Sequence, residues 1–226
     1  MKSFSWKSVY TAALALLLTV LVALPATARE DAALKESLLT ALETQYGGKS
    51  FSAEFYQTST LAALDMTDTA TGKAWFAYPG RMKWQYLTPE RHEIITNGKD
   101  LWIWRPDENQ VMRGDARPFF RDGAGGALLT DMGKIRETYA ISLGEVTDTH
   151  ADLILIPPAG DTEDGQELKS IKIRVQRPSH QIQEVVTLTR QGDTTRFELR
   201  QLTFRDFPGG FFEFTVPEGA QILDME

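Results

Sequence analysis

The side chains that most often act as nucleophiles, metal ligands or proton carriers are scarce: the 226 residues include three histidines and no cysteine. His92 and Glu93 begin like a zinc-protease helix, but the second histidine of that motif is replaced by Thr96, and the segment alternates like a strand. Residues 161–165 are acidic, yet out of step with the ligand positions of a calcium loop. These patterns predict a surface histidine and an acidic turn.

Signatures of catalysis are incomplete or missing. Gly123 and Gly125 begin like a dinucleotide fingerprint, but Leu128 stands where the third glycine belongs, and no nucleophile elbow or P-loop occurs. We therefore predict that the protein is not an enzyme and needs no cofactor or metal. A hydrolase built from two carboxylates that folding brings together is the alternative.

The first 28 residues have the features of a secretory signal peptide. Lys2 and Lys7 precede an apolar run over residues 12–24, which is short for a bilayer span, and Ala26 and Ala28 supply the small side chains of a cleavage site. We expect cleavage before Arg29, with residues 29–226 forming one domain. Because the leader carries two lysines and no acid, the net charge changes from −7 to −9. This charge disfavours nucleic acid as a partner.

Periodicity predicts one helix followed by strands. Apolar residues recur at spacings of three and four over residues 31–46, which predicts an amphipathic helix that ends at Gly47. The period then becomes two, and Asn97-Gly98 predicts a tight hairpin between residues 93–95 and 101–104. Further strands are predicted at residues 71–78, 81–86, 152–156, 171–175, 181–189, 194–203 and 211–216.

One break interrupts the strands, at residues 113–139. Glycines at 123–126 are followed by Leu128, Leu129, Met132 and Ile135, which share one face of a predicted helix over residues 127–138. This segment is either a mobile lid over something apolar or an ordinary packed crossover.

Nine aromatic residues fall between positions 75 and 120, more than one sheet face needs. Such a cluster favours a curved sheet around an apolar pocket, and a well-packed core without a cavity is the alternative. The residues are Trp75, Phe76, Tyr78, Trp84, Tyr86, Trp102, Trp104, Phe119 and Phe120.

Several short motifs, in order and spacing, resemble the periplasmic outer-membrane lipoprotein carriers, the LolA-like proteins. They lie at residues 51–57 (Phe-Ser-Ala-Glu-Phe-Tyr-Gln), 78–84, 89, 97–102 (Asn-Gly-Lys-Asp-Leu-Trp) and 212–219. The resemblance implies a mainly β (α+β) fold, an incomplete, strongly curved antiparallel β-barrel covered by an N-terminal helix and a short helical lid.

It also implies a function. Members receive acylated lipoproteins from an inner-membrane ABC transporter and deliver them, as monomeric periplasmic chaperones, to an outer-membrane acceptor. The expected lining or lid residues, of which about half face inward because strand faces alternate, are Phe76, Tyr78, Met82, Trp84, Tyr86, Trp102, Trp104, Phe119, Phe120, Leu128, Leu129 and Met132.

The sequence departs from the family at one position. Tyr78 stands where the family's arginine hydrogen-bonds the lid, and Arg81 is three residues on, facing the other side of a strand. The resemblance therefore implies the carrier function without that latch. The alternatives are a periplasmic module that senses lipids or lipoproteins and a small hydrophobic ligand-binding module.

Overall fold

The computed structural model describes residues 26–117, 128–158 and 168–225. Two compact units divide the chain, residues 1–34 and 35–226. Of the first unit, residues 26–34 are described; they are helical, and the side chains of residues 29–33 are exposed. The second unit contains the rest of that helix and the strands.

Helix α1, Ala26–Tyr46, starts five residues before the predicted helix and ends where predicted. Leu38, Leu39, Leu42 and Tyr46 are each at most 2% exposed. Their spacing of three and four residues places them along one apolar stripe of the helix, as the sequence predicts. Gly48 follows with a φ of +67°, a left-handed conformation suited to the end of a helix.

The strands of the described residues form one sheet. A four-residue helix, α2, Ile135–Thr138, lies between two of them. The strands are β1 Phe51–Leu61, β2 Met66–Ala77, β3 Arg81–Thr88, β4 His92–Thr96, β5 Asp100–Arg105, β6 Gln110–Asp115, β7 Ala140–Val146, β8 His150–Ile156, β9 Leu168–Gln176, β10 Ile182–Thr189, β11 Thr194–Phe204 and β12 Gln221–Asp224.

The strand order is β12-β6-β5-β4-β3-β2-β1-β11-β10-β9-β8-β7, a curved sheet that does not close. Neighbouring strands are antiparallel except β12, which runs parallel to β6. The predicted mainly β fold with an incomplete barrel is confirmed.

The hairpin predicted at Asn97-Gly98 is confirmed. The Asn97 side-chain oxygen accepts the backbone N–H groups of Lys99 at 3.0 Å and Asp100 at 2.9 Å. Gly98 has a φ of +97°, which a side chain would strain. These local bonds fix the register between β4 and β5.

The strand predicted at residues 211–216 is wrong, because this segment is irregular and the last strand is β12. Its apolar alternation has another cause: Phe214 and Val216 pack against a buried cluster without joining the sheet. Pro208 and Pro217 flank the segment and have no N–H to give to a ladder.

Candidate functional site

One face of the sheet gathers most of the aromatic residues of its first three strands, whereas Tyr56 and Trp75 project to the other face. Strand register pairs Phe51 with Phe76 and Phe76 with Met82, so these side chains project to the same side. Tyr46 of α1 packs edge-on against Phe51, with ring centroids 5.3 Å apart. We call this the helix-covered face; its residues include Phe51, Phe55, Phe76, Met82, Trp84 and Tyr86.

Trp84 lies at the centre of the helix-covered face and is 1% exposed. The ring centroids of Phe55, Phe76 and Phe197 lie 4.9, 5.4 and 4.8 Å from its own. Its indole N–H has no hydrogen-bond partner among the described residues. Trp84 therefore lies in a tightly packed aromatic cluster.

Two phenols, those of Tyr86 and Tyr46, are among the polar groups at this face. The Tyr86 hydroxyl donates to the Gln57 side-chain oxygen at 2.8 Å, and burial raises the pKa of Tyr86. Burial also raises the pKa of Tyr46 to about 12, although its hydroxyl accepts the Ile182 N–H at 2.9 Å. Both phenols stay uncharged at neutral pH, as an apolar ligand surface requires.

Residues 128–139, which we call the cover segment, contain the predicted apolar stripe. Leu128, Leu129, Met132 and Ile135 are 8, 3, 1 and 1% exposed. The prediction of one continuous helix here is wrong: residues 128–130 and 132–134 form single 3-10 turns, followed by α2. Asp131, with φ −144° and ψ 56°, interrupts the helical backbone between the two turns. Phe119, Phe120 and Gly123–Gly126 lie outside the described residues.

A cavity of about 570 Å³ opens beside the cover segment, within the size range of small-ligand sites. On one side it is bounded by the β2–β3 turn and the β4–β5 turn, and on the other by the cover segment. Leu128 and Ile135 form its buried apolar part. The residues around it are Pro79, Gly80, Asn97, Gly98, Lys99, Leu128, Thr130, Asp131, Lys134, Ile135, Thr138 and Tyr139.

Tyr78 lies in the β2–β3 turn and is 39% exposed. The hydrogen bond and charge of Asp131 raise the pKa of Lys134, and the Tyr78 side chain adds a smaller electrostatic effect in the same direction. Arg81 donates to the Tyr78 carbonyl at 2.6 Å and lies over the Phe212 ring, 5.7 Å from its centroid. Arg81 therefore contacts the other side of the sheet, as its spacing predicts.

Trp102 and Trp104 project to the opposite face. Trp102 pairs with Ile95, which pairs with Lys83, the neighbour of Trp84. Successive residues of a strand point to opposite sides, so the structure does not bring Trp102 together with Trp84. Ile95, Trp102 and Val111 form a buried cluster, and partly buried residues pack against it: Trp104, Phe214, Val216 and Ala220.

The described residues contain no group of three or more His, Asp or Glu side chains able to hold a metal ion. His92 stacks on Tyr86 with ring centroids 4.1 Å apart, and burial lowers the pKa of His92.

Among the described residues, no helix combines the length and the apolar character that a membrane span needs.

The sequence of this chain matches a known protein family. Residues 47–215, about three quarters of the chain, match the family described as "Outer membrane lipoprotein carrier protein LolA". The chain belongs to this family. The matched range begins just after α1 and includes the cover segment and the residues that bound the cavity.

Two relatives extend the LolA match beyond that range. An outer-membrane lipoprotein carrier protein of Cupriavidus pinatubonensis is 27% identical over 185 residues, covering 78% of this chain and 82% of the relative. One of Chromohalobacter salexigens is 24% identical over 226 residues, covering 99% and 98%. The similarity to carriers therefore includes the N-terminal region.

One solved structure shares the fold of this chain at low sequence identity. The crystal structure of an uncharacterized conserved protein from Thermus thermophilus superposes with a TM-score of 0.54 at 10% identity, covering 85% of this chain and 99% of that chain.

Sequence reasoning missed several residues of this candidate site. Phe51 and Phe55 lie in a quoted family motif, and their alternation in β1 was a usable signal. Arg136, Glu36 and Glu43 form ion pairs between α2 and α1. No sequence pattern links these residues, because about 100 positions separate Arg136 from each partner.

Proposed function

We propose that this protein is a periplasmic chaperone that binds the acyl chains of lipoproteins. The observation that carries the proposal is the aromatic, uncharged helix-covered face, together with the cavity beside the cover segment. Family membership supports it, since the relatives are named lipoprotein carriers. Such carriers bind and release without making or breaking a covalent bond.

The energetics of an acyl chain explain why such a face is needed. Burial stabilises a chain by about 0.8 kcal/mol per methylene, so a chain of roughly 15 methylenes loses about 12 kcal/mol on entering water. A carrier has to offer a comparable apolar surface. Because affinity of that size would prevent release, part of the apolar surface has to be filled by the protein itself when cargo leaves.

The cover segment can act as that internal substitute. Met132 and Ile135 fill apolar space beneath it, and cargo would take over these contacts when the segment moves away. We assign Phe76, Met82, Trp84 and Tyr86 to the apolar surface that cargo would contact once the cover segment has moved away. Leu128, Leu129 and Met132 belong to the cover, and Tyr78 to its rim. Phe119 and Phe120 stay predictions. Trp102 and Trp104 are left out because they project to the opposite face.

The route follows from the same proposal. The leader, residues 1–28, directs export and is removed, leaving residues 29–226 as one soluble periplasmic domain that works as a monomer. An inner-membrane ABC transporter supplies the lipoprotein, and an outer-membrane acceptor takes it. The negative net charge disfavours adsorption to anionic membrane surfaces between the two steps.

A release assay tests the function. Protein purified after expression of the full sequence is added to spheroplasts that make a radiolabelled outer-membrane lipoprotein, together with the cognate transporter. We expect label to leave the membrane in a soluble 1:1 complex. A Trp84→Ser variant should release far less label per folded molecule, whereas Leu64→Ser, at a residue 64% exposed on the β1–β2 turn, should behave like the wild type.

The alternatives predict other results. If no label is released while a free lipid or a signalling protein binds, the protein is a sensor or a small-ligand module, and the carrier proposal is wrong.

A further inference from the structure

Arg136 joins the cover segment to helix α1. From α2, its guanidinium donates to the Glu43 carboxylate at 2.5 Å, to the Thr40 hydroxyl at 3.0 Å and to the Glu36 carboxylate. The two carboxylate hydrogen bonds raise the pKa of Arg136. One side chain of the cover segment therefore contacts three side chains of α1.

Helix α1 presents these partners in one row. Glu36, Thr40 and Glu43 are separated by four and three residues, so they lie on the same side of the helix. The buried stripe of α1 uses other positions, Leu38, Leu39 and Leu42. The row is therefore separate from the stripe that packs in the core, and the planar fork of an arginine matches two carboxylates better than a lysine would.

The position of Arg136 makes it the link between α1 and the cavity. Its neighbour Ile135, and Lys134 and Thr138, line the cavity, so the residue that contacts α1 lies within the cavity wall. Met132 and Ile135 are buried beneath the same wall. Moving this part of the cover segment away from α1 requires breaking the Arg136 contacts.

We propose that Arg136 is a positioning residue that keeps the cavity wall closed against α1 and so sets how often the apolar surface beneath it opens. We call the contacts of Arg136 with Glu36, Thr40 and Glu43 the clamp. The clamp suits repeated opening, because the side chains of Arg136, Glu36 and Glu43 are 33, 55 and 27% exposed and their ion pairs are only moderately strong. The inference rests on the proposed function for its purpose, but the clamp acts without cargo.

The absence of cysteine makes opening measurable. In Met132→Cys the only thiol sits at a residue that is 1% exposed, so its rate of reaction with a maleimide reports how often the cover segment opens. We expect Arg136→Gln in this background to raise the rate about fivefold, the scale of two partly exposed ion pairs and one hydrogen bond. Glu36→Gln combined with Glu43→Gln should raise it equally.

Salt gives a second readout that a loss of packing would not reproduce. At 1 M salt the screening length falls to about 3 Å. The labelling rate of Met132→Cys should therefore rise with salt while Arg136 is present and stay nearly constant in Arg136→Gln.

Two matched variants separate local opening from other causes. Ile173→Cys places the only thiol at a residue that is 0% exposed in β9, where labelling requires unfolding, and Arg136→Gln should leave its rate unchanged. Arg200→Gln removes a surface ion pair with Glu198 and should leave Met132→Cys unchanged.

The inference is overturned if Arg136→Gln leaves the Met132→Cys rate unchanged, or raises the Ile173→Cys rate as much. Both results would leave the release assay standing. Conversely, a faster Met132→Cys reaction without any lipoprotein release would support the clamp and reject the carrier function.

Discussion

The two faces of the sheet carry similar aromatic residues under different kinds of cover. On the helix-covered face, Tyr46 of α1 packs on Phe51, and partly exposed ion pairs of Arg136 join α1 to the cover segment. On the opposite face, Trp102 packs against residues of the segment 211–220, which leads into β12. Backbone hydrogen bonds fix that end, from Gln221 to Asn109 at 2.9 Å and from Met225 to Arg113 at 2.8 Å.

The difference indicates which face can exchange its contents. A cover that is held by backbone pairing as well as apolar packing leaves only when that part of the sheet unfolds locally. In the cover segment the partly exposed ion pairs of Arg136 are worth about 1 kcal/mol or less each, and under the proposed function the apolar contacts of Met132 and Ile135 pass to cargo. Aromatic content alone therefore does not identify a cargo surface; the attachment of the cover does.

Truncating one tryptophan on each face gives the largest effect and tests this comparison directly. Trp102→Ala should lower the free energy of unfolding by about 3–5 kcal/mol, because the cluster with Ile95 and Val111 loses its largest side chain. Urea unfolding measures the loss. Release of lipoprotein per folded molecule should stay near the wild-type level.

Trp84→Ala is the matched variant. Its loss of stability should be similar, since Trp84 is also buried, but it should in addition remove lipoprotein release. If both variants lose release equally per folded molecule, the two faces do not differ in function.

The sequence predicted local elements of the fold, but it could not separate the two faces of the sheet. Periodicity predicted α1, the hairpin at Asn97-Gly98 and most strands, because those signals are local. Separating Trp84 from Trp102 requires the register across β3, β4 and β5, which no single segment contains.

Two other features needed the folded chain. The alternation at residues 211–216 fits a strand and equally fits a segment that packs on a sheet, and only the missing ladder partners distinguish them. The contact of Arg136 with Glu36 and Glu43 joins distant parts of the chain. The family resemblance indicated the fold and implied a lid without the family's arginine latch, because Tyr78 stands at that position, whereas in the structure Arg136 links the cover segment to α1.

Gly72 tests how tightly the helix-covered face is packed. A Cβ there would lie 2.1 Å from the Gln85 carbonyl oxygen and 2.6 Å from the Phe55 ring, so β2 or the ring has to shift. Gly72→Ala should lower the free energy of unfolding by about 3 kcal/mol, as measured by urea unfolding.

Gly209, in the segment beside the opposite face, is the control. Nothing in the described part of the chain lies within 4 Å of a Cβ at that position, and Gly209→Ala should change stability by less than about 0.5 kcal/mol. Equal losses from both variants would contradict the close packing around Phe55.

On the face of the sheet opposite the helix-covered face, strands β8–β10 carry charged side chains, whereas the region around Trp102 is apolar. Asp152 is 2% exposed and accepts two hydrogen bonds of 2.8 Å from Arg174. Asp152→Asn should lower the free energy of unfolding by about 2 kcal/mol at pH 7, less than for a fully buried pair because Arg174 reaches water. Asp148→Asn, at an exposed residue of the β7–β8 turn, should have little effect.

The pH dependence of stability gives the sign of the Asp152 interaction. Burial by itself would raise the pKa of Asp152, but the hydrogen bonds and charge of Arg174 outweigh it and hold the pKa below the ordinary value of 3.8. A carboxylate with a lowered folded-state pKa stabilises the protein above pH 4, and that contribution disappears as pH falls through the folded value. Urea unfolding between pH 7 and pH 3 should therefore show a steeper loss of stability in the wild type than in Asp152→Asn. Parallel curves would mean that Arg174 does not stabilise the ionised carboxylate, and that this charged part of the face contributes nothing specific to folding.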